Sequence, residues 1–312
     1  MRTVFFGSPP AALPSLEALL RAGHSVELVV TQPARPAGRG LRPVPSAVGA
    51  FAAGRGLPVL ESARIRTDAA TAGRIRAAAA DVHVVVAYGQ IIPRDIHYPP
   101  RYHSLNVHFS LLPKYRGAAP VQWTVLNGDP ETGVTVIELD DRMDEGDILA
   151  REPVAVRPRE SAAALEGRLA AVGAGLLVRT LAAIDTVPRL PQDDAAASLA
   201  PKVRKEDGRV AWTETAAAVD RRILALADRP GVFTFFGGKR INLLRGRALE
   251  GPAAGEAAPG RIVAAGKDGL AVACGGGTVF LVETVRPAGR GAMSAHAFSL
   301  GTRLSPGDCL GS

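Results

Sequence analysis

Short apolar blocks alternate with stretches at helical spacing through the first part of the chain. Residues 3–6 (TVFF) predict a strand, Gly7-Ser8-Pro9-Pro10 a turn, and Leu13, Leu16, Leu19 and Leu20 the buried face of a helix that Gly23 ends. A second buried strand follows at 26–31. Strand, glycine turn, helix, strand predicts a doubly wound, Rossmann-like α/β domain. No G-x-G-x-x-G accompanies it, so the pattern implies no dinucleotide. Further on, 56–60 predicts a short strand and 63–80 a helix. The near-continuous apolar run 82–87 predicts a central parallel strand covered on both faces. Its exit, 87–92, lies where open α/β sheets bind ligands. In 105–109 Leu105, Val107 and Phe109 alternate with Asn106 and His108, so the two polar residues share one strand face until Pro113 stops the ladder. A helix at 120–126, strands at 132–139 and 148–156, and an amphipathic helix over 161–184 capped by Ser161 complete this half.

Periodicity is lost over 186–200, which predicts a linker. Beyond it the texture becomes one helix near 216–227 and short strands with glycine turns, the pattern of a small β-barrel. Phe233, Phe235 and Phe236 read as its core in preference to a stacking surface. Charge follows the same division. Residues 201–312 hold 16 Lys and Arg against 10 Asp and Glu, while the first 200 hold 21 against 20. A basic second part suits a polyanionic partner, and equally a merely solvated surface. Cys274 and Cys309 form no spaced framework, and no apolar run approaches the ~18 residues that would span a bilayer, so the expectation is a soluble cytoplasmic protein.

Three stretches hold candidate chemistry. Asn106 and His108 bring a hydrogen-bond donor and a titratable imidazole to one strand end, which suits a carbonyl oxygen that must gain negative charge. Alone, an Asn-x-His triplet reads as a solvated strand end. Residues 140–147 (DDRMDEGD) carry four aspartates whose spacing fits no EF-hand, so no metal is implied. Residues 31–45 (TQPARPAGRGLRPVP) hold four prolines, two glycines, three arginines and no acid. That composition predicts an irregular loop, either a grip for an anionic substrate or a surface excursion.

Together these strings are specific. Asn106-x-His108 running into SLLPKYRGAAP (110–120), followed by Met143-Asp144-Glu145-Gly146-Asp147, resembles the folate-dependent formyltransferases. Arg116-Gly117-Ala118-Ala119-Pro120 narrows the resemblance to the methionyl-tRNA formyltransferase branch. FxGSP after the first strand, QPxRPAGRG in the basic loop and RPAGRGAMSA near the end extend it over nearly the whole chain. The chain departs from the family pattern at Ala34, where an aspartate is usual, and at His97 and His103, where an apolar residue and a glycine are usual.

The resemblance implies a catalytic domain over 1–187, a linker over 188–203 and an oligonucleotide-binding (OB-like) barrel that holds tRNA over 204–312. It implies transfer of formyl from N10-formyltetrahydrofolate, a co-substrate, to the α-amino group of initiator methionyl-tRNA, without a metal and by a monomer. Asn106, His108 and Asp144 are the implied catalytic group. Ser110, Leu111, Leu112, Pro113, Ala87, Tyr88, Gly89 and Ile91 are the implied folate site. Arg35, Arg39, Arg42, Lys202 and Lys205 are the implied tRNA contacts. His83, inside an apolar run, reads as structural. Formylation of glycinamide ribonucleotide or an amino sugar, hydrolysis of formyltetrahydrofolate, and RNA binding without catalysis are the competing expectations; the basic barrel counts against the glycinamide ribonucleotide reading, the basic loop and barrel against the hydrolase, and the complete triad against RNA binding alone.

Overall fold

A computed structural model describes residues 1–37, 42–250 and 255–311. They form two compact units. One comprises Met1–Val121, Pro130–Val156 and Ala164–Pro201; the other takes Gln122–Asp129 and Arg157–Ala163 together with the chain from Lys202 onward.

The first unit begins with β1 (Arg2–Gly7), α1 (Leu13–Arg21) and β2 (Ser25–Thr31), followed by the small β3 (Arg35–Ala37) and β4 (Arg42–Val44). Next come α2 (Ala47–Gly54), β5 (Val59–Glu61), α3 (Ala69–Ala77) and β6 (Val82–Val86). The short α4 (Arg94–His97) leads to β7 (Ser104–His108), and α5 (Pro120–Asn127), which from Gln122 on belongs to the other unit, precedes the hairpin of β8 (Glu131–Glu138) and β9 (Ile148–Ala155). The long α6 (Ala162–Ala182) follows. The sheet order is β5-β2-β1-β6-β7-β8-β9, with β5 through β7 parallel and β8 and β9 antiparallel. Strand order reverses beside β1, so β6 and β7 deliver their C-terminal ends at the crevice where such sheets bind ligands.

The buried side chains of β1 and β6 explain their central position: Val4, Phe5, Phe6, Val82, Val84 and Val86 are fully enclosed. α6 comes very close to the sheet through one glycine. A Cβ on Gly173 would stand 2.8 Å from a Val107 methyl and 3.2 Å from a Val134 methyl, so a hydrogen there lets the helix lie directly over β7 and β8.

Three sequence expectations are corrected here. The loop 31–45 is not wholly irregular: β3 and β4 pair antiparallel, with Arg35 opposite Val44, Pro36 opposite Pro43 and Ala37 opposite Arg42. Facing prolines occupy the pair that needs no N–H donor, which is how a proline-rich segment still makes a ladder. The helix expected over 63–80 is only α3, because the Asp68 carboxylate caps its start by accepting the Thr71 N–H at 2.9 Å. The aperiodic 186–200 stretch is bound to the first unit. Leu190 exchanges backbone hydrogen bonds with Ile148, and Arg116 does so with Ser198 and Ala200. Backbone pairing needs no side-chain period, so the sequence pattern carries no sign of it.

The second unit contains α7 (Ala216–Leu226), β10 (Val232–Phe236), β11 (Lys239–Ala248), β12 (Ile262–Gly266), β13 (Gly269–Ala273), β14 (Val279–Pro287), β15 (Met293–Ser294) and α8 (Ala295–Thr302). The antiparallel path β10-β11-β14-β13-β12, with β15 added to β14, is an OB-like barrel. Its two path ends are joined by the final segment: Asp308 accepts the Ile262 N–H of β12, and Gly311 donates to the Phe235 carbonyl of β10. Trp212 is buried against this core and donates its indole N–H to Thr234 at 3.0 Å. Of the three phenylalanines read as core, Phe233 is buried while Phe235 and Phe236 are half-buried. The Arg240 guanidinium covers the Phe233 ring at 3.8 Å. The helix α8 has no counterpart among the sequence expectations.

Candidate active site

β7 pairs with β8 so that Asn106 lies opposite Ile137 and His108 opposite Thr135, fixing both polar side chains on one face at the strand's end. His108 is buried, and its Nε2 lies 2.9 Å from the Tyr115 carbonyl oxygen. A carbonyl can only accept, so this nitrogen carries a proton and Nδ1 is the one turned toward Asp144, 3.7 Å from its Oδ2. Asn106 donates from Nδ2 to Asp144 Oδ1 at 3.3 Å, and the Gly117 N–H donates to Asp144 Oδ2 at 2.9 Å. The amide, the imidazole and the carboxylate thus converge, although 38 positions separate Asn106 from Asp144.

Asp144 is delivered by the loop between β8 and β9. Its own φ is +57°, a left-handed conformation uncommon outside glycine. Two positions later a Cβ on Gly146 would fall 1.7 Å from the Glu138 carbonyl oxygen, so only glycine permits that approach. Two residues to which the sequence reading gave no role hold this loop. Gln192 donates from Nε2 to the carbonyls of Asp144 and Gly146, each at 2.8 Å. Its Oε1 accepts from Arg116 Nε at 3.0 Å. Arg116 is itself buried and also donates to Asp194 at 2.7 Å, a hydrogen bond that holds the Asp194 carboxyl below the usual carboxylate range. Arg116 was visible in its motif without a role. Gln192 had no signal, lying 76 positions from Arg116 in an aperiodic stretch.

The SLLP segment is built into the wall. Ser110 is fully buried and its hydroxyl donates to the Lys114 carbonyl at 2.6 Å. Thr135 ties the segment down, donating to the Ser110 carbonyl at 2.7 Å and accepting the Leu112 N–H at 3.1 Å. Leu112 packs with Ile137 and Ile148, whereas Leu111 and Pro113 are half-buried. Beyond β6, Tyr88 is buried against Phe6, while Ala87, Gly89 and Ile91 are exposed. Ser110, Leu112 and Tyr88 therefore offer little beyond backbone groups to a ligand, and Ala87, Gly89 and Ile91 offer accessible surface.

Arg35 and Arg42 stand exposed on β3 and β4, and Arg35 donates to Gln32 at 3.0 Å. Lys202 and Lys205 are exposed in the second unit. Arg39 lies outside the described residues. His83 and His97 are buried beside β7. Burial, reinforced by His97, pushes the His83 imidazole down to about 4, and its Nδ1 faces the Ser104 hydroxyl at 3.3 Å. Burial also lowers His97, outweighing Asp141 at 3.5 Å. His103 pairs with Glu138 at 2.6 Å. Among the described residues no His, Cys, Asp and Glu group is arranged to hold a metal ion, and no helix is long and apolar enough to cross a membrane.

With this geometry in place, the likeness to known proteins is informative. Residues 1–181 match the formyl transferase model and residues 202–303 the formyl transferase C-terminal domain model. A methionyl-tRNA formyltransferase of Thiobacillus denitrificans is 43% identical, with the match covering 100% of both chains. One from Deinococcus radiodurans is 42% identical over 98% of this chain and 94% of its own. A solved N-formyltransferase of Helicobacter canadensis, in complex with folinic acid and dTDP-3-aminofucose, shares the fold. Its TM-score is 0.63 at 15% identity, over 90% of this chain and 98% of that one.

Proposed function

We infer the reaction from one premise: the chain belongs to the formyl transferase family, in its methionyl-tRNA formyltransferase branch. It transfers the formyl group of N10-formyltetrahydrofolate to the α-amino group of methionyl-tRNA, for translation initiation. We place the reaction in the cytoplasm and in a single copy of the chain, for which a gel-filtration mass is the check.

The observation that carries the catalytic assignment is the convergence of the Asn106 amide, the His108 ring and the Asp144 carboxylate at the end of β7. Asn106 Nδ2 donates to the formyl oxygen and orients it. The neutral amine adds to the formyl carbon, and His108, protonated at Nδ1, stabilises the negative charge that develops on that oxygen. Asp144 orients the imidazole and receives the amine's proton through water; a proton is returned to N10 as its bond to carbon breaks. The Tyr115 carbonyl fixes which ring nitrogen faces the reaction by keeping Nε2 protonated.

The surroundings suit a folate. Exposed Ala87, Gly89 and Ile91 at the exit of β6 supply backbone donors and acceptors for a pteridine edge, and Ile91 supplies apolar surface for its face. Leu111 and Pro113 flank the catalytic strand end, and Ser110, Leu112 and Tyr88 contribute through backbone and wall. Arg35, Arg39, Arg42, Lys202 and Lys205 are assigned to tRNA phosphates.

The decisive assay follows labelled formyl from N10-formyltetrahydrofolate into charged initiator tRNA, with charged elongator methionine tRNA as control. Label on the initiator is the expected result. Formate released without labelled tRNA would replace transfer by hydrolysis.

A further inference from the structure

The catalytic carboxylate sits on a loop whose geometry is held from outside. Asp144 has a left-handed φ of +57° and heads the turn Asp144-Glu145-Gly146. A non-glycine residue in that region persists where its surroundings over-determine it. Here one amide does so: Gln192 Nε2 bonds both carbonyls that bracket Glu145, at 2.8 Å each. Those two bonds use both N–H donors of the amide. Its oxygen is held in turn by the buried Arg116 at 3.0 Å. Arg116 is further anchored by Asp194 at 2.7 Å and stands 3.7 Å from Glu145, which Arg142 pairs at 2.6 Å.

The same guanidinium therefore reaches the loop by two routes, through Gln192 and through Glu145. The Arg116 backbone is also fixed, its N–H donating to Ser198 and its carbonyl accepting from Ala200. Its neighbour Gly117 donates its N–H directly to Asp144 Oδ2. The stretch 190–200 is consequently a strap that crosses from β9 to the 113–119 turn, and Gln192 is the one side chain on it that touches the Asp144 backbone among the hydrogen bonds of the described residues.

We propose that Gln192 is a positioning residue for formyl transfer: through its paired amide bonds it sets the Asp144 carboxylate against Asn106 and His108, with Arg116 fixing which end of the amide faces the loop. The proposal rests on Asp144 being catalytic, as assigned above. Since a misplacement of ~1 Å in a catalytic group costs about 10²-fold, loss of the clamp reads out in turnover, not in substrate capture.

The test substitutes Gln192→Met, which keeps length and neutrality and removes both donors, and compares it with Asp144→Asn and the double variant in steady-state formyl transfer. Gln192→Met is expected to lower kcat about 10- to 100-fold with KM for folate and tRNA changed less than about 2-fold. On the Asp144→Asn background the same change is expected to add less than about 2-fold, because the carboxylate it positions is gone. The thermal midpoint and circular dichroism of each variant establish folding. Turnover within about 2-fold of the parent overturns the proposal. So does a loss confined to KM, or an equal loss on both backgrounds, which marks a structural role. If Asp144→Asn itself retains near-parent turnover, it is the catalytic assignment that fails, separately from the clamp.

Discussion

At the scale of single residues the site depends on which proton sits where. The Tyr115 carbonyl can only accept, so His108 Nε2 is committed to it and Nδ1 is the nitrogen that faces Asp144. Replacing Asn106 or His108 by alanine is expected to lower turnover at least ~10²–10³-fold with the fold intact, the usual effect of losing one oxyanion donor. Near-normal formyl transfer by Asn106→Ala would remove it from the mechanism. His83 is a different kind of histidine. Burial holds it neutral down to about 4, against 6.5 for the free side chain. The unfolded chain therefore binds a proton that the folded chain refuses between these two values, so stability falls as pH drops from 6.5 toward 4 and this contribution levels off below. The full difference amounts to about 3 kcal/mol. Urea unfolding of His83→Leu at several pH values is expected to show its stability improving relative to the parent as pH falls through that window. Parallel curves would show that His83 is not the group refusing the proton.

At the scale of elements, the helix α6 and the strap at 190–200 do what their sequences conceal or reveal to different degrees. The stripe of Leu165, Leu169 and Leu176 announces α6 and its buried face. The closeness of its approach is set by Gly173, which no periodicity singles out. Adding one methyl there pushes against Val107 and Val134, under the strand that carries His108. Gly173→Ala is expected to destabilise the protein by about 1–3 kcal/mol, as overpacking does, measured as a lower urea midpoint at unchanged m. An unchanged midpoint would mean that α6 can shift without penalty. The strap illustrates the opposite case. Its aperiodicity agrees with a stretch whose one helical piece is the single 3-10 turn Asp194–Ala196, but it carries no sign of the backbone bonds to Ile148 and Arg116 that give it its place.

At the scale of the whole molecule, the charge is concentrated in the second part of the chain, and the basic 31–45 segment adds three arginines to the first. A polyanion bound through such groups releases counterions, so the KM for tRNA is expected to rise steeply with KCl while the KM for folate stays nearly constant. Arg42→Ala should reduce the logarithmic salt slope by about 0.7–0.9, the effect of one lost phosphate contact. An unchanged slope would place Arg42 outside the tRNA contact.

The sequence by itself determined the two-part architecture and the parallel core around β1 and β6, and it named Asn106, His108 and Asp144, the three residues that converge at the end of β7. Burial imposes a period on strands and helices, and a site confined to short contiguous strings can be recognised from those strings. Only the tertiary structure decided which nitrogen of His108 faces Asp144, that Ser110, Leu112 and Tyr88 are buried, that β3 and β4 pair through facing prolines, and that Gln192 holds the Asp144 loop. Each of these is a hydrogen bond or a packing contact between distant positions. Such contacts follow from where the chain returns in space, and along the chain they leave no spacing to read.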